Sequence, residues 1–136
     1  MIELLIAAAL AQGSPQPSQA MANIAVARAA VDEMRRLART PEEKALAERD
    51  FVLVERAARL VIRRDSSRAA AEAAKGMSSD QLLNATKQMQ ETQMSFNLQY
   101  LQLQSQMQHE NRSYTAISNI MKTKHDTVKN SISNVR

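Results

Sequence analysis

Cysteine and tryptophan are absent from this sequence, and its 136 residues include only two Gly, three Pro and 3% aromatic residues. The lack of cysteine excludes disulfides, thiolate nucleophiles and Cys-based metal sites. So few turn-forming residues are not compatible with the many tight turns of a β-sandwich or barrel. The core has to be built from Leu, Ile, Val, Met and Ala, which suit the packing of helix on helix. We therefore expect an all-α fold.

Motifs for catalysis and cofactor binding are also missing. The sequence has no glycine-rich phosphate loop, no HExxH and no GxSxG. Its two histidines, His109 and His125, are 16 positions apart on one predicted helix, or about 24 Å, which is too far to share a metal ion. Each is expected to be an exposed helix residue. We expect no catalytic residues, no metal site and no cofactor.

Charge and hydropathy limit the partners. The net charge of +4 is a small surplus of 18 basic over 14 acidic residues, without clustered cations and stacking aromatics, so nucleic acid is not an expected partner. The apolar stretch 2–11 is about half the ~20 residues that a membrane span requires, so no span is expected. This stretch is either an ordinary short helix or docking segment, or a signal remnant ending in the A-x-A pattern of residues 9–11.

The composition changes at Gly76. Residues 1–76 hold 20 of the 22 Ala and 10 of the 12 Arg, whereas the rest is rich in Gln, Asn and Ser. We divide the chain into a short apolar segment with a Pro/Ser linker (1–18), an Ala/Arg-rich two-helix region (19–76) and an assembly module (77–136). The change indicates either a fusion of two modules or one helical hairpin of uneven composition.

Local signals define two helices in the first half. Apolar residues at helical spacing predict an amphipathic helix over 19–39. Thr40 then supplies an N-cap hydroxyl, Pro41 suits the first helical position, and Glu43 completes a capping box. The second helix is expected to run to about Lys75.

Arginines repeat along this second helix. Arg49, Arg56 and Arg63 are spaced by seven residues, and Glu55 is placed to pair with Arg59 one turn later. The arginines form either a solvated charged face or a docking stripe for an acidic partner.

The second half contains no Gly or Pro from Ser79 to Arg136, so the sequence predicts one helix of up to about 55 residues, roughly 80 Å long. This helix is either straight or folds back at the polar run 108–113. Its apolar positions form a seam, which we call the assembly seam: Leu82, Met89, Phe96, Tyr100, Leu103, Met107, Tyr114, Ile117, Met121, Val128 and Val135. A helix so long and weakly charged needs other chains to cover it. The expected fold is thus a helical hairpin followed by one very long, self-associating C-terminal helix.

The segment from residue 111 to the end resembles the carboxyl end of needle and inner-rod subunits of bacterial type III secretion systems. The positions that match this needle-like motif are Asn111, Ala116, Ser118, Asn119, Lys122, Asp126, Ile132, Asn134 and Arg136. Val135 stands where that family often has an aromatic residue. The resemblance implies a secreted or cell-surface subunit that polymerises helically and contacts copies of itself and other secretion-apparatus proteins.

Two functional hypotheses follow. The first is a structural subunit that assembles through its long helix into a filament or rod, so that replacing Leu103 or Ile117 with Asp abolishes assembly. The alternative is a cytoplasmic coiled-coil adaptor or chaperone-like module of fixed stoichiometry, which presents its arginines to an acidic partner.

Overall fold

The computed structural model describes residues 18–110 and 116–136. In these two ranges the chain forms four α-helices and one 3-10 turn, and it has no β-strand there. The helices are α1 (Gln19–Leu37), α2 (Pro41–Ala73), α3 (Ser79–Glu110) and α4 (Asn119–Ser133), and the 3-10 turn is Ala74–Gly76. This confirms the all-α fold class for the described part of the chain. The apolar stretch 2–11 and its signal-remnant interpretation lie outside the described residues.

The first two helices begin where their capping residues predict. The Ser18 hydroxyl accepts a hydrogen bond from the Met21 N–H at 3.1 Å and caps α1. At α2, the Thr40 hydroxyl accepts from the Glu43 N–H at 3.1 Å, and the Glu43 carboxylate accepts from the Thr40 N–H at 3.3 Å. This reciprocal pair is the predicted capping box, with Pro41 at the start of the helix.

The prediction of one straight helix from Ser79 to Arg136 is wrong, and the helix bounds agree with the folded-back alternative. α3 ends at Glu110, and α4 begins at Asn119 after an N-cap at Ser118. Helix α4 runs antiparallel to α3 and packs against α1 and α2. The reason is hydrophobic: folding back buries the apolar side of α4 within the same chain, whereas one extended helix leaves it in water.

Consecutive helices run antiparallel, as the contacts between them show. Arg35 of α1 pairs with Glu48 of α2 at 3.0 Å, which joins the end of one helix to the beginning of the next. Ser67 of α2 donates to Thr92 of α3 at 2.9 Å. The fourth helix is antiparallel to α1 and parallel to α2. Helix α2 contacts each of the other three helices.

One hydrophobic core runs through the bundle, and every helix contributes to it. Its largest fully buried side chains are Ile24, Val31, Met34, Leu46, Leu53, Val54, Val61, Leu103, Met121, Val128, Ile132 and Val135. Only one face of α3 packs against this core, and its opposite face is exposed to solvent.

Candidate functional site

The assembly seam lies largely inside the chain's own core. Its buried members are Phe96, Tyr100, Leu103, Met107, Met121, Val128 and Val135. Leu82, Met89 and Ile117 are half-buried, and Tyr114 lies outside the described residues. The groups that cover the buried members come from other helices of the same chain.

The needle-like motif residues occupy the ends and both faces of α4. Ser118 caps the helix, Asn119 begins it and Asn134 follows its last turn. Ile132 is buried, Ala116 and Lys122 are exposed, and Asp126 pairs with Lys129 at 3.5 Å. The Arg136 guanidinium lies 5.8 Å from the Tyr100 ring centre, and Asn111 is outside the described residues. In this structure Ser118 caps α4 and Ile132 packs into the core.

The carboxyl end of α4 is fastened by side chains from the three other helices. The Asn23 amide of α1 donates to the carbonyl of residue 134 at 2.8 Å. The buried Arg64 guanidinium of α2 donates to the carbonyl of residue 135 at 3.0 Å. The Tyr100 hydroxyl of α3 lies 3.2 and 2.9 Å from the carbonyls of residues 132 and 133. These bonds satisfy carbonyls that a helix end otherwise leaves without partners.

Two polar contacts join α2 to α4 in register. Glu43 accepts from the Ser118 hydroxyl at 2.6 Å and from its backbone N–H at 3.0 Å. One heptad further along both helices, Asp50 contacts His125 Nδ1 at 2.7 Å. His125 is 4% exposed and Asp50 is 0% exposed, so the prediction of an exposed His125 is wrong. The pair has no local signal in the sequence, because its members are 75 positions apart.

The pKa values of Glu43 and Asp50 are shifted in opposite directions. Hydrogen bonds from the Ser118 side chain and backbone, and then from the Arg39 N–H, lower the pKa of Glu43 to about 2. Burial raises the pKa of Asp50, and the hydrogen bond with His125 offsets part of that rise. Because this pair is enclosed, we assign it a structural task, which is to fix the position of α4 along α2.

The outer face of α3 is the main unpartnered apolar feature of the described chain. We use this name for Leu83, Met94, Leu98 and Leu101, whose exposed fractions are 67, 67, 65 and 60%. At 100° per residue these four lie within about 60° of one another, on the side opposite the buried Phe96 and its neighbours. Residues 92–108 contain no charged side chain at all. Sequence analysis missed this second stripe because it followed a single seam.

Comparisons with known proteins do not place the chain in a family. No protein family, curated protein or solved structure matches it. Among residues 18–110 and 116–136, no helix is long and apolar enough to cross a membrane. The same residues contain no group of three or more His, Asp or Glu side chains that could hold a metal ion.

Proposed function

We propose that this chain is a structural subunit that associates with copies of itself through the outer face of α3. The observation that carries the proposal is the line of four exposed apolar side chains on a helix whose other face is already buried. Isolated exposed apolar residues are normal on protein surfaces, but an aligned set on one helix is typical of an interaction surface.

The chemistry of this face favours a second copy over a charged partner. Two identical surfaces repel each other wherever both carry the same charge, and residues 92–108, which hold three of the four side chains, carry none. Near Leu83 the same side of the helix carries Asp80 and Lys87, whose charges are opposite. The amides that flank the stripe can form hydrogen bonds across a close helix contact without the cost of burying charge.

The size of the face favours repeated contacts. A helix of 32 residues is about 48 Å long and about 10 Å wide, or roughly 480 Å² of face. Stable pairs bury about 800 Å² on each partner, so a single pairing through this face is expected to be weak. A filament or rod gives each subunit more than one neighbour. This agrees with the secreted needle or rod subunit that the resemblance of residues 111–136 implies.

Negative-stain microscopy and light scattering across a hundredfold range of protein concentration test the proposal. We expect the wild-type chain to form regular filaments or growing oligomers, and the double variant Leu98→Asp/Leu101→Asp to stay monomeric. Val52→Asp is the matched control because Val52 is also an exposed apolar side chain, 49% accessible, on a different helix. Loss of assembly in the α3 variant alone supports the proposal.

Uniform small particles of the wild-type chain at every concentration would contradict it and favour the adaptor hypothesis. Substitutions at the seam position Leu103 do not serve as this test. Leu103 is buried, so an Asp there places an unpaired charge in the core and destabilises the monomer itself.

A further inference from the structure

A small cavity lies in the groove between α2 and α3, and arginines dominate its lining. Its volume is about 110 Å³, which is room for several water molecules. The cavity is lined by Arg56, Arg59, Leu60, Arg63, Gln99 and Leu103. We call this the arginine cavity. The outer face of α3 does not contribute to it.

The three guanidinium groups have no acidic partner among the described residues. Glu55, which the sequence places one turn from Arg59, instead pairs with Arg28 of α1 at 3.2 Å, so the predicted Glu55–Arg59 pair is wrong. Arg56 donates to the Gln106 amide oxygen, which is neutral. Neither Arg59 nor Arg63 forms an ion pair with a residue in the described ranges.

The neighbouring helix adds no negative charge either. α3 passes the cavity with residues 92–108, none of which is charged. Positions 56, 59 and 63 are three and four residues apart, so their like charges lie on one side of α2 and repel one another. The mutual repulsion of three clustered cations raises the free energy of the folded chain, and a bound anion lowers it again.

We propose that the arginine cavity binds a phosphate group, either free or as the monoester group of a larger molecule. Guanidinium groups present N–H donors in a planar fork that matches the oxygen atoms of such an anion. A phosphate monoester carries about two negative charges at pH 7, which several arginines neutralise better than one. Leu60 and Leu103 form the apolar part of the wall and strengthen the attraction by lowering the local polarity. Gln99 adds an uncharged amide.

Titration of the full chain with defined anions tests this proposal. Inorganic phosphate, pyrophosphate, O-phosphoserine and acetate are each added at fixed ionic strength, and binding is followed by calorimetry and by the NMR signals of the arginine side chains. We expect saturable one-to-one binding of the phosphate compounds and none of acetate. The ligand that binds most tightly among the three phosphate compounds identifies the natural form of the phosphate group. Tightest binding of inorganic phosphate or pyrophosphate indicates a free anion, and tightest binding of O-phosphoserine indicates a monoester.

The double variant Arg59→Gln/Arg63→Gln should weaken phosphate binding by about tenfold or more, because each lost guanidinium removes a charge-assisted hydrogen bond. Arg36→Gln/Arg39→Gln is the control, since it removes the same charge from exposed positions away from the cavity. Unchanged thermal unfolding verifies that both variants are folded. The proposal is overturned if phosphate does not saturate, if acetate binds equally well, or if both double variants lose affinity alike.

Discussion

Glu43 and Asp50, one heptad apart on α2, both hold α4, but they respond to protonation in opposite ways. Glu43 is stabilised as a carboxylate by donors from Ser118, whereas burial favours the protonated form of Asp50. A pKa that differs between the folded and unfolded chain makes stability depend on pH. The two residues therefore contribute to stability with opposite pH dependence.

The first residue-scale prediction concerns Glu43. Its pKa is about 2 in the folded chain against an ordinary value of 4.5, so the unfolded chain binds more protons between these values. The contribution of Glu43 is thus complete above about pH 4.5 and is lost as the pH falls towards 2. Glu43→Gln should remove this part of the pH dependence and should be less stable at pH 7.

Urea unfolding at a series of pH values, followed by circular dichroism, measures this effect. Glu42→Gln is the matched control, because Glu42 is exposed and is the adjacent acidic residue in the first turn of the same helix. If both variants retain the same loss of stability on acidification as the wild-type chain, the contact between Glu43 and Ser118 does not act as we describe.

The second residue-scale prediction concerns the enclosed pair. Asp50→Ala removes one member and leaves His125 in the core without its carboxylate, which should cost about 3 kcal/mol of unfolding free energy. Replacing both with leucine should recover a large part of this loss, because two apolar groups need no hydrogen bond in the core. Chemical denaturation of the single and double variants measures the difference. A loss below about 1 kcal/mol in Asp50→Ala would contradict the structural task of the pair.

Some helix ends are determined by residues close to them in the sequence, and others are not. The start of α2 was predictable because Thr40, Pro41 and Glu43 are adjacent and satisfy its first N–H groups themselves. The break before α4 was indicated only by the polar run 108–113, because Ser118 is followed by Met121 at the position where a capping box has Glu or Gln. No Gly or Pro marks it.

The sequence also predicts which face of a helix is apolar, but not which groups cover that face. Heptad spacing identified the buried side of α3 and α4, including Phe96, Leu103 and Val128, because periodicity reports which side of a helix is apolar. It does not report what covers that side. The covering groups belong to α1 and α2, and contacts so distant along the chain follow from packing and leave no local signal. For the same reason the partner of His125 and the arginine cavity were not predictable.

At the scale of the whole molecule, the two halves that differ in composition are packed into each other. Helix α4 comes from the Gln/Asn/Ser-rich half, yet it packs against α1 and α2 of the Ala/Arg-rich half. Most of its polar contacts are also with that half, through Asn23, Glu43, Asp50 and Arg64, and Tyr100 of α3 adds contacts from its own half. The change in composition at Gly76 is therefore not a boundary between two separately packed units among the described residues.

The last prediction follows from this arrangement. A fragment of residues 77–136 retains the apolar side chains of α4, such as Met121 and Ile132, but loses the helices that bury them. Each such side chain contributes about 1.5–3 kcal/mol when buried, and isolated helices of this length are marginal in water. We expect the fragment to have low helix content and no cooperative thermal transition by circular dichroism, and to gain both when residues 1–76 are added as a separate chain. Cooperative unfolding of the fragment alone would instead favour two independent modules, because α4 would then be stable without the helices of the first half.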